Sequence, residues 1–243
     1  MIWPVHLVDV SGHQSRPLDW YAIKRAGVSV AIAKASEGVG SPDSWRARHL
    51  AGARAAGLRV GVYHYLRVRA NRPQDAAAQA SEFCAIWSSE RCDLRPVVDV
   101  ETMSNGGASL AEWRAAVLGF VAEVERITGS SPAIYTSAGE WLGLGLGGLV
   151  EVARCPLWLA AYTSAIPSAP APWREWSAWQ YTGTAQIEGV PVDLDLSVAT
   201  VDGLSALLAS GGGLARTLGA AAVVGSLLAL AWRYAGKMRR PNL

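Results

Sequence analysis

The chain has 243 residues, 51% hydrophobic and 17% charged, a composition that supports one large domain with a substantial core and excludes a disordered chain. Lys and Arg number 22 against 20 Asp and Glu, a formal net charge of +2, and much of the excess lies beyond Arg233, so no basic stripe marks the rest of the chain as a nucleic-acid binder. Three cysteines, Cys84, Cys92 and Cys155, show neither Cys-x-x-Cys nor Cys/His spacing, which argues against a zinc site or a disulfide framework; buried thiols are expected, and no cofactor is implied.

Met1-Ile2-Trp3-Pro4 leads straight into strand-like sequence, so no cleaved signal peptide is expected. Val5 to Val10 reads as a first strand, Val28 to Ala33 as a second, Val60 to Leu66 as a third and Val97 to Glu101 as a fourth. Ala133 to Thr136, Leu157 to Ala161, Ser177 to Tyr181 and Val192 to Leu196 complete a set of eight. Helical periodicity fills the early gaps at Leu18 to Ala26, Ser44 to Ala56, Pro73 to Ser88 and Leu110 to Thr128, the last behind a Ser109 N-cap. A shorter fifth helix is expected from Ser137 to Val150. After Leu157 the connections are rich in Pro, Ser and Gly and too short for full helices. The pattern predicts an α/β fold: a closed parallel β/α barrel of eight strands, with helices mainly in the first five units.

In such a barrel, catalytic groups sit at the C-terminal ends of the strands, and the acids fall there. Asp9 ends the first strand, Asp99 and Glu101 end the fourth, and Asp193 and Asp195 lie in the eighth, which neighbours the first once the sheet closes. Tyr63, His64, Tyr65, Tyr135, Tyr162 and Gln180 lie at other strand ends. Asp99 and Glu101, two apart on a strand, point the same way. Two like charges in apolar surroundings repel and lose hydration, which raises the pKa of one of them and keeps a carboxylic acid protonated for general-acid work. The plainer alternative is two acids that end a strand and face solvent. Convergence of acids and rings from several strands on one rim favours carboxylate-based hydrolysis of a glycan.

The runs Asp9-Val10-Ser11-Gly12-His13-Gln14, Lys34-Ala35-Ser36-Glu37-Gly38, Gly61-Val62-Tyr63-His64-Tyr65, Asp99-Val100-Glu101, Ile134-Tyr135-Thr136-Ser137 and Trp179-Gln180-Tyr181 resemble, in order and spacing, the glycoside hydrolase family 25 lysozymes of the Chalaropsis type. The resemblance covers about residues 3 to 200. It implies a modified barrel of five β/α units and three further strands, with N-acetylmuramidase activity on peptidoglycan. Glu101 matches the family's proton donor and Asp99 its partner acid, while Asp9 and Asp193 match further acids of the catalytic groove. Tyr63, Tyr65, Tyr135, Trp179 and Gln180 are candidate substrate contacts, with Trp179 equally readable as barrel core. Whether a carboxylate or the substrate's own acetamido oxygen attacks the anomeric carbon depends on distances; the close acid pair favours the latter.

Other motifs lack their context. Gly143-Leu144-Gly145-Leu146-Gly147-Gly148 fits G-x-G-x-x-G but follows a helical stretch, so it reads as a turn. His64 and His6 read as structural, and Lys34 with Glu37 as an ion pair. Neither H-E-x-x-H nor G-x-S-x-G is present, and a chitinase-like D-x-x-D-x-D-x-E fails at Leu94 and Val97. A non-catalytic wall-binding or virion protein on the same barrel is the alternative, although both Asp99 and Glu101 are retained. Residues 1–209 are therefore assigned to the barrel and 210–213 (Ser-Gly-Gly-Gly) to a linker. Residues 214–243 are assigned to an apolar transmembrane helix with a basic tail. These features suggest a membrane-tethered bacterial or phage lysis enzyme, its barrel facing the wall. Retention in the cytoplasm until the membrane is breached is the alternative route.

Overall fold

Eight strands hydrogen-bond in chain order and close on themselves: β1 (Val5–Val10), β2 (Val30–Glu37), β3 (Arg59–Tyr65), β4 (Val97–Asp99), β5 (Ala133–Ser137), β6 (Leu157–Ala160), β7 (Ala178–Ala185) and β8 (Leu194–Ala199). This computed structural model describes residues 3–103 and 105–209. The linker at 210–213 and the helix expected at 214–243 lie outside the described residues. Among those described, no helix is long and apolar enough to cross a membrane.

The barrel is mixed rather than wholly parallel. β1 to β7 run parallel, and β8 is antiparallel to both β7 and β1. The cause lies in the connections. A parallel pair needs a crossover of a dozen or more residues, whereas the short segment Gln186–Asp193 can only return the chain alongside β7 in the opposite direction.

Among the described residues, six α-helices flank the strands: α1 (Trp20–Arg25), α2 (Arg46–Ala55), α3 (Asp75–Ser89), α4 (Leu110–Thr128), α5 (Ala138–Gly143) and α6 (Val201–Leu207). α4 has the expected bounds because its ends carry their own signals. Ser109 Oγ accepts from Glu112 N, Glu112 Oε2 accepts from Ser109 N at 2.7 Å, and Gly129 stops the helix at φ 72°. α5 is far shorter than Ser137 to Val150, since the glycine-rich run follows at once and Gly145 sits at φ 66°, where a side chain would be strained. The sequence reading did not foresee α6, which starts at Thr200, whose hydroxyl accepts from Gly203 N at 2.9 Å.

Two apolar layers result from the two-residue strand period. Inside the barrel lie Val5 and Leu7, Val30 and Ile32, Val97, Ala133, Trp158, Ala178 and Ala199, closed below by Leu94 and Leu207. Gly61 permits that plug, as a Cβ there would stand 2.9 Å from Leu94 Cβ. Alternate residues such as Val8, Ala31, Val62, Val98 and Ile134 pack outward with Ile23, Leu50, Phe83 and Phe120 of the helices. The three thiols are free, and burial pushes Cys84 up to about 11 and Cys92 and Cys155 up to about 12. Continuing the inward alternation toward the strand C-termini gives the next layer: Asp9, Lys34, Tyr63, Asp99, Tyr135 and Gln180.

Candidate active site

Asp99 is the last residue of β4 and is buried, with Oδ1 lacking any hydrogen-bond partner among the described residues. Glu101 follows just beyond the strand, half-buried, its backbone oxygen accepting from Asn105 Nδ2 at 2.9 Å. Across the mouth, Gln180 is fixed by three bonds. Its Nε2 donates to Asp9 Oδ1 at 2.9 Å, and its Oε1 accepts from Tyr135 Oη at 2.7 Å and Tyr162 Oη at 2.9 Å. Below them, Trp158 stacks edgewise on Tyr135 at 4.9 Å and donates to Ser197 Oγ at 2.9 Å, making a packed floor.

Asp195 completes the group. It pairs with Asp9 in the β1–β8 register, and because β8 is reversed, its first residues lie at the same end as the C-termini of the other strands. Asp193 lies outside the cluster. It is exposed, ahead of β8, with Oδ1 3.4 Å from Gln186 Nε2. Of the two acids read at the eighth strand, Asp195 and not Asp193 therefore joins the acids at the mouth. The ladder gives the reason: Asp195 pairs with Asp9 within the sheet, whereas Asp193 precedes β8.

The electrostatics follow from burial. Asp9 is held well above the usual carboxylate range by loss of water and by the Asp195 and Glu101 charges, against the Gln180 hydrogen bond. Asp99 is raised first by burial and then by the Glu101 charge, with Lys34 opposing. Burial raises Glu101, aided by Glu140 and Asp195, and burial pushes Asp195 up to about 6. Four carboxylates in one apolar mouth do not all stay ionised at neutral pH, so the cluster holds at least one proton. The phenols of Tyr63 and Tyr135 are raised by burial and by the same acids, and both remain neutral donors.

Other expected contacts are placed differently. Trp179 faces away from Gln180 and is buried beside Trp3, Trp176 and Tyr181, its indole donating to Ala161 O at 2.7 Å. It is core and not a sugar platform, because the inner face of β7 belongs to Ala178 and Gln180. Tyr65 lies between Lys34, 5.0 Å from its ring, and Arg67, at 5.2 Å, and its hydroxyl donates to Met103 O. Lys34 pairs with Glu37 at 2.5 Å, as expected. His64 is buried, with Nδ1 2.9 Å from Ser36 Oγ and Nε2 3.0 Å from Gln79 Oε1. Burial lowers its pKa to about 4, so the ring is neutral and structural. Glu140 carried no sequence signal. It reaches the site from α5, accepting from Thr102 N and Thr102 Oγ1, each at 3.0 Å. Among the described residues, no group of three or more His, Cys, Asp or Glu side chains is arranged to hold a metal ion.

A family model described as glycosyl hydrolases family 25 matches residues 8–190. Lysozyme M1 of Streptomyces globisporus is 31% identical over 202 residues, covering 77% of this chain and 65% of its own length. The chain thus spans just under two thirds of that relative. Among solved structures, the bacterial lysozyme from Streptomyces coelicolor superposes with a TM-score of 0.74 at 30% identity, covering 84% of this chain and 96% of that one. A family GH25 lysozyme from Aspergillus fumigatus gives 0.71 at 30% identity, covering 85% and 99%. With that match extending from β1 to the loop before β8 and the same barrel in both solved relatives, the chain belongs to glycosyl hydrolases family 25.

Proposed function

We propose that this protein is a peptidoglycan hydrolase that cleaves the β-1,4 bond between N-acetylmuramic acid and N-acetylglucosamine. One observation carries the reading: the buried Asp99 carboxylate, one oxygen unpartnered, beside Glu101 at the mouth of a closed barrel. An uncompensated buried charge is costly, and it is retained here where a substrate donor would meet it.

Glu101, protonated, gives its proton to the glycosidic oxygen as the bond to the muramic anomeric carbon breaks. The 2-acetamido oxygen of the same sugar attacks that carbon while the acetamido N–H donates to Asp99 Oδ1, whose negative charge stabilises the cationic ring formed. Water then adds to the anomeric carbon, Glu101 takes back a proton, and configuration is retained. Asp9, held by Gln180, and Asp195 border the mouth where that cation forms. Mass spectrometry of reduced digestion fragments tests the bond cut. New reducing ends on N-acetylmuramic acid are expected, and ends predominantly on N-acetylglucosamine would overturn the assignment.

Tethering to a membrane belongs to the same reading, for a lysis enzyme of bacterial or phage origin. Its support is the apolar run from Leu214 to Ala235, interrupted only near its ends by Arg216 and Arg233 and followed by Lys237, Arg239 and Arg240. The excess of positive charge after the run puts the C-terminus in the cytoplasm and the barrel on the wall side. Protease added to sealed spheroplasts should release an active barrel by cutting near Ser210–Gly213. Full protection until permeabilisation would show that the barrel gains access only after a breach.

A further inference from the structure

A recess of about 350 Å³ opens among the loops that follow β2, β3 and β4, and is lined by Glu37, Gly38, Arg67, Arg69, Asn105 and Gly106. Its size lies within the range of small-ligand sites, about 300–1,000 Å³. Asn105 forms the wall shared with the carboxylate cluster. Its Nδ2 donates to Glu101 O and Leu66 O, both at 2.9 Å, and its Oδ1 accepts from Val68 N at 3.2 Å.

The floor of the recess is preorganised. Gly38, at φ 61°, lies so close to Arg67 that a Cβ there would stand 3.2 Å from Arg67 Cγ. Gln79 clamps the next turn, its Nε2 donating to Arg67 O at 2.7 Å and its Oε1 accepting from Arg67 N at 3.0 Å. Arg69 is bridged to Gly106.

Charge decides the ligand. Glu37 engages Lys34 and Arg67 together, and although burial alone would raise it, hydrogen bonds from those two cations hold it below the usual range. Arg69 is exposed and makes no ion pair among the described residues. Of the residues that line the recess, Arg67 and Arg69 against Glu37 leave it positive. A guanidinium presents a planar fork that fits a carboxylate through two hydrogen bonds.

We propose that this recess is a subsite for the peptide that muramic acid carries, with Arg69 binding one of its carboxylates. The inference rests on the peptidoglycan reading: the recess adjoins Glu101 through Asn105, on the side of the mouth where a substituent of a sugar held at Glu101 would meet Arg69. An exposed pair of this kind is worth about fivefold in affinity and weakens with salt.

Titration calorimetry on the full chain, using the N-acetylglucosaminyl-N-acetylmuramic acid disaccharide with and without its peptide, tests the proposal. The peptide-bearing form should bind about fivefold tighter at low salt. Arg69→Ala should bring the two ligands to the same affinity, and Arg69→Lys should keep part of the preference. Equal affinities in the natural protein, or a preference that survives Arg69→Ala, would overturn the subsite. Cell-wall turnover, measured in parallel, separates the two ideas. Turnover without a peptide preference sinks only the subsite, while a preference without turnover sinks the hydrolase reading and leaves the subsite standing.

Discussion

Asp9 and Asp195 stand opposite each other across the seam where antiparallel β8 closes the barrel on β1. Residues from the two ends of the barrel sequence thus meet at one mouth, where the Asp195 charge adds to burial in raising Asp9. Burial takes Asp195 from 3.8 to about 6. For an acid raised on folding, the stabilising contribution is complete below its unfolded value and is lost as pH climbs through its folded value. Melting temperature should therefore fall between about pH 4 and pH 6. Asp195→Asn should flatten that fall and melt higher than the natural protein at pH 7. An unchanged slope in the variant, measured by calorimetry, would refute this account of the seam.

Glu101 and Asp99 should separate in a paired assay of turnover and melting. Glu101→Gln removes the proposed proton donor and should cost about 10²–10⁴-fold in kcat. Asp99→Asn should cost about 10²–10³-fold by removing the charge that faces the cationic ring. The same Asp99 variant should melt higher, because it relieves a buried and partly unpartnered carboxylate. Loss of both activity and stability in Asp99→Asn would indicate a framework role.

Glu140 acts at one remove. It holds Thr102 through two hydrogen bonds and adds its charge to the field that raises Glu101. A donor must be protonated to work, so activity falls as pH rises through the Glu101 value. Glu140→Gln should move that alkaline limb of the kcat/KM profile to lower pH. A profile that drops in height without moving would assign Glu140 to loop support alone.

Gly183 sits where a Cβ would meet Asp195 Oδ1 at 2.9 Å and Tyr162 Oη at 3.1 Å. Gly183→Ala should turn Asp195 away from Asp9 and lower activity, with little change in melting because the displaced atoms are side-chain ends at a half-open mouth. A crystal structure of the variant with Asp195 unmoved would contradict this.

Trp179, buried behind β7, should behave as core. Trp179→Ala should destabilise by about 3–5 kcal/mol, while the KM of the surviving folded enzyme changes little. A rise in KM at unchanged stability, read from kinetics and denaturant titration together, would return it to the substrate groove.

Much of this barrel is written locally. The bounds of β1 and α4 and the alternation that turns Asp9 and Asp99 inward depend on neighbours a few residues away, and the sequence by itself determines them. Direction of the closing strand is another matter. Whether the eighth strand runs with or against the first depends on how the chain between Ala185 and Leu194 meets a sheet edge built from the opposite end of the sequence, and no local period records that. Its reversal brings Asp195, at the start of β8, to the mouth beside Asp9. The face of Trp179 was likewise open, since an aromatic residue on a strand suits a groove or a core equally until the neighbouring Gln180 is seen to bind Asp9. Glu140 meets Thr102 from α5, on a different β/α unit, so their pairing is set by the closed sheet and not by local sequence. Local periodicity determines which side chains can face inward; tertiary closure alone decided which of them meet, because contacts between distant strands are set by the geometry of the whole ring.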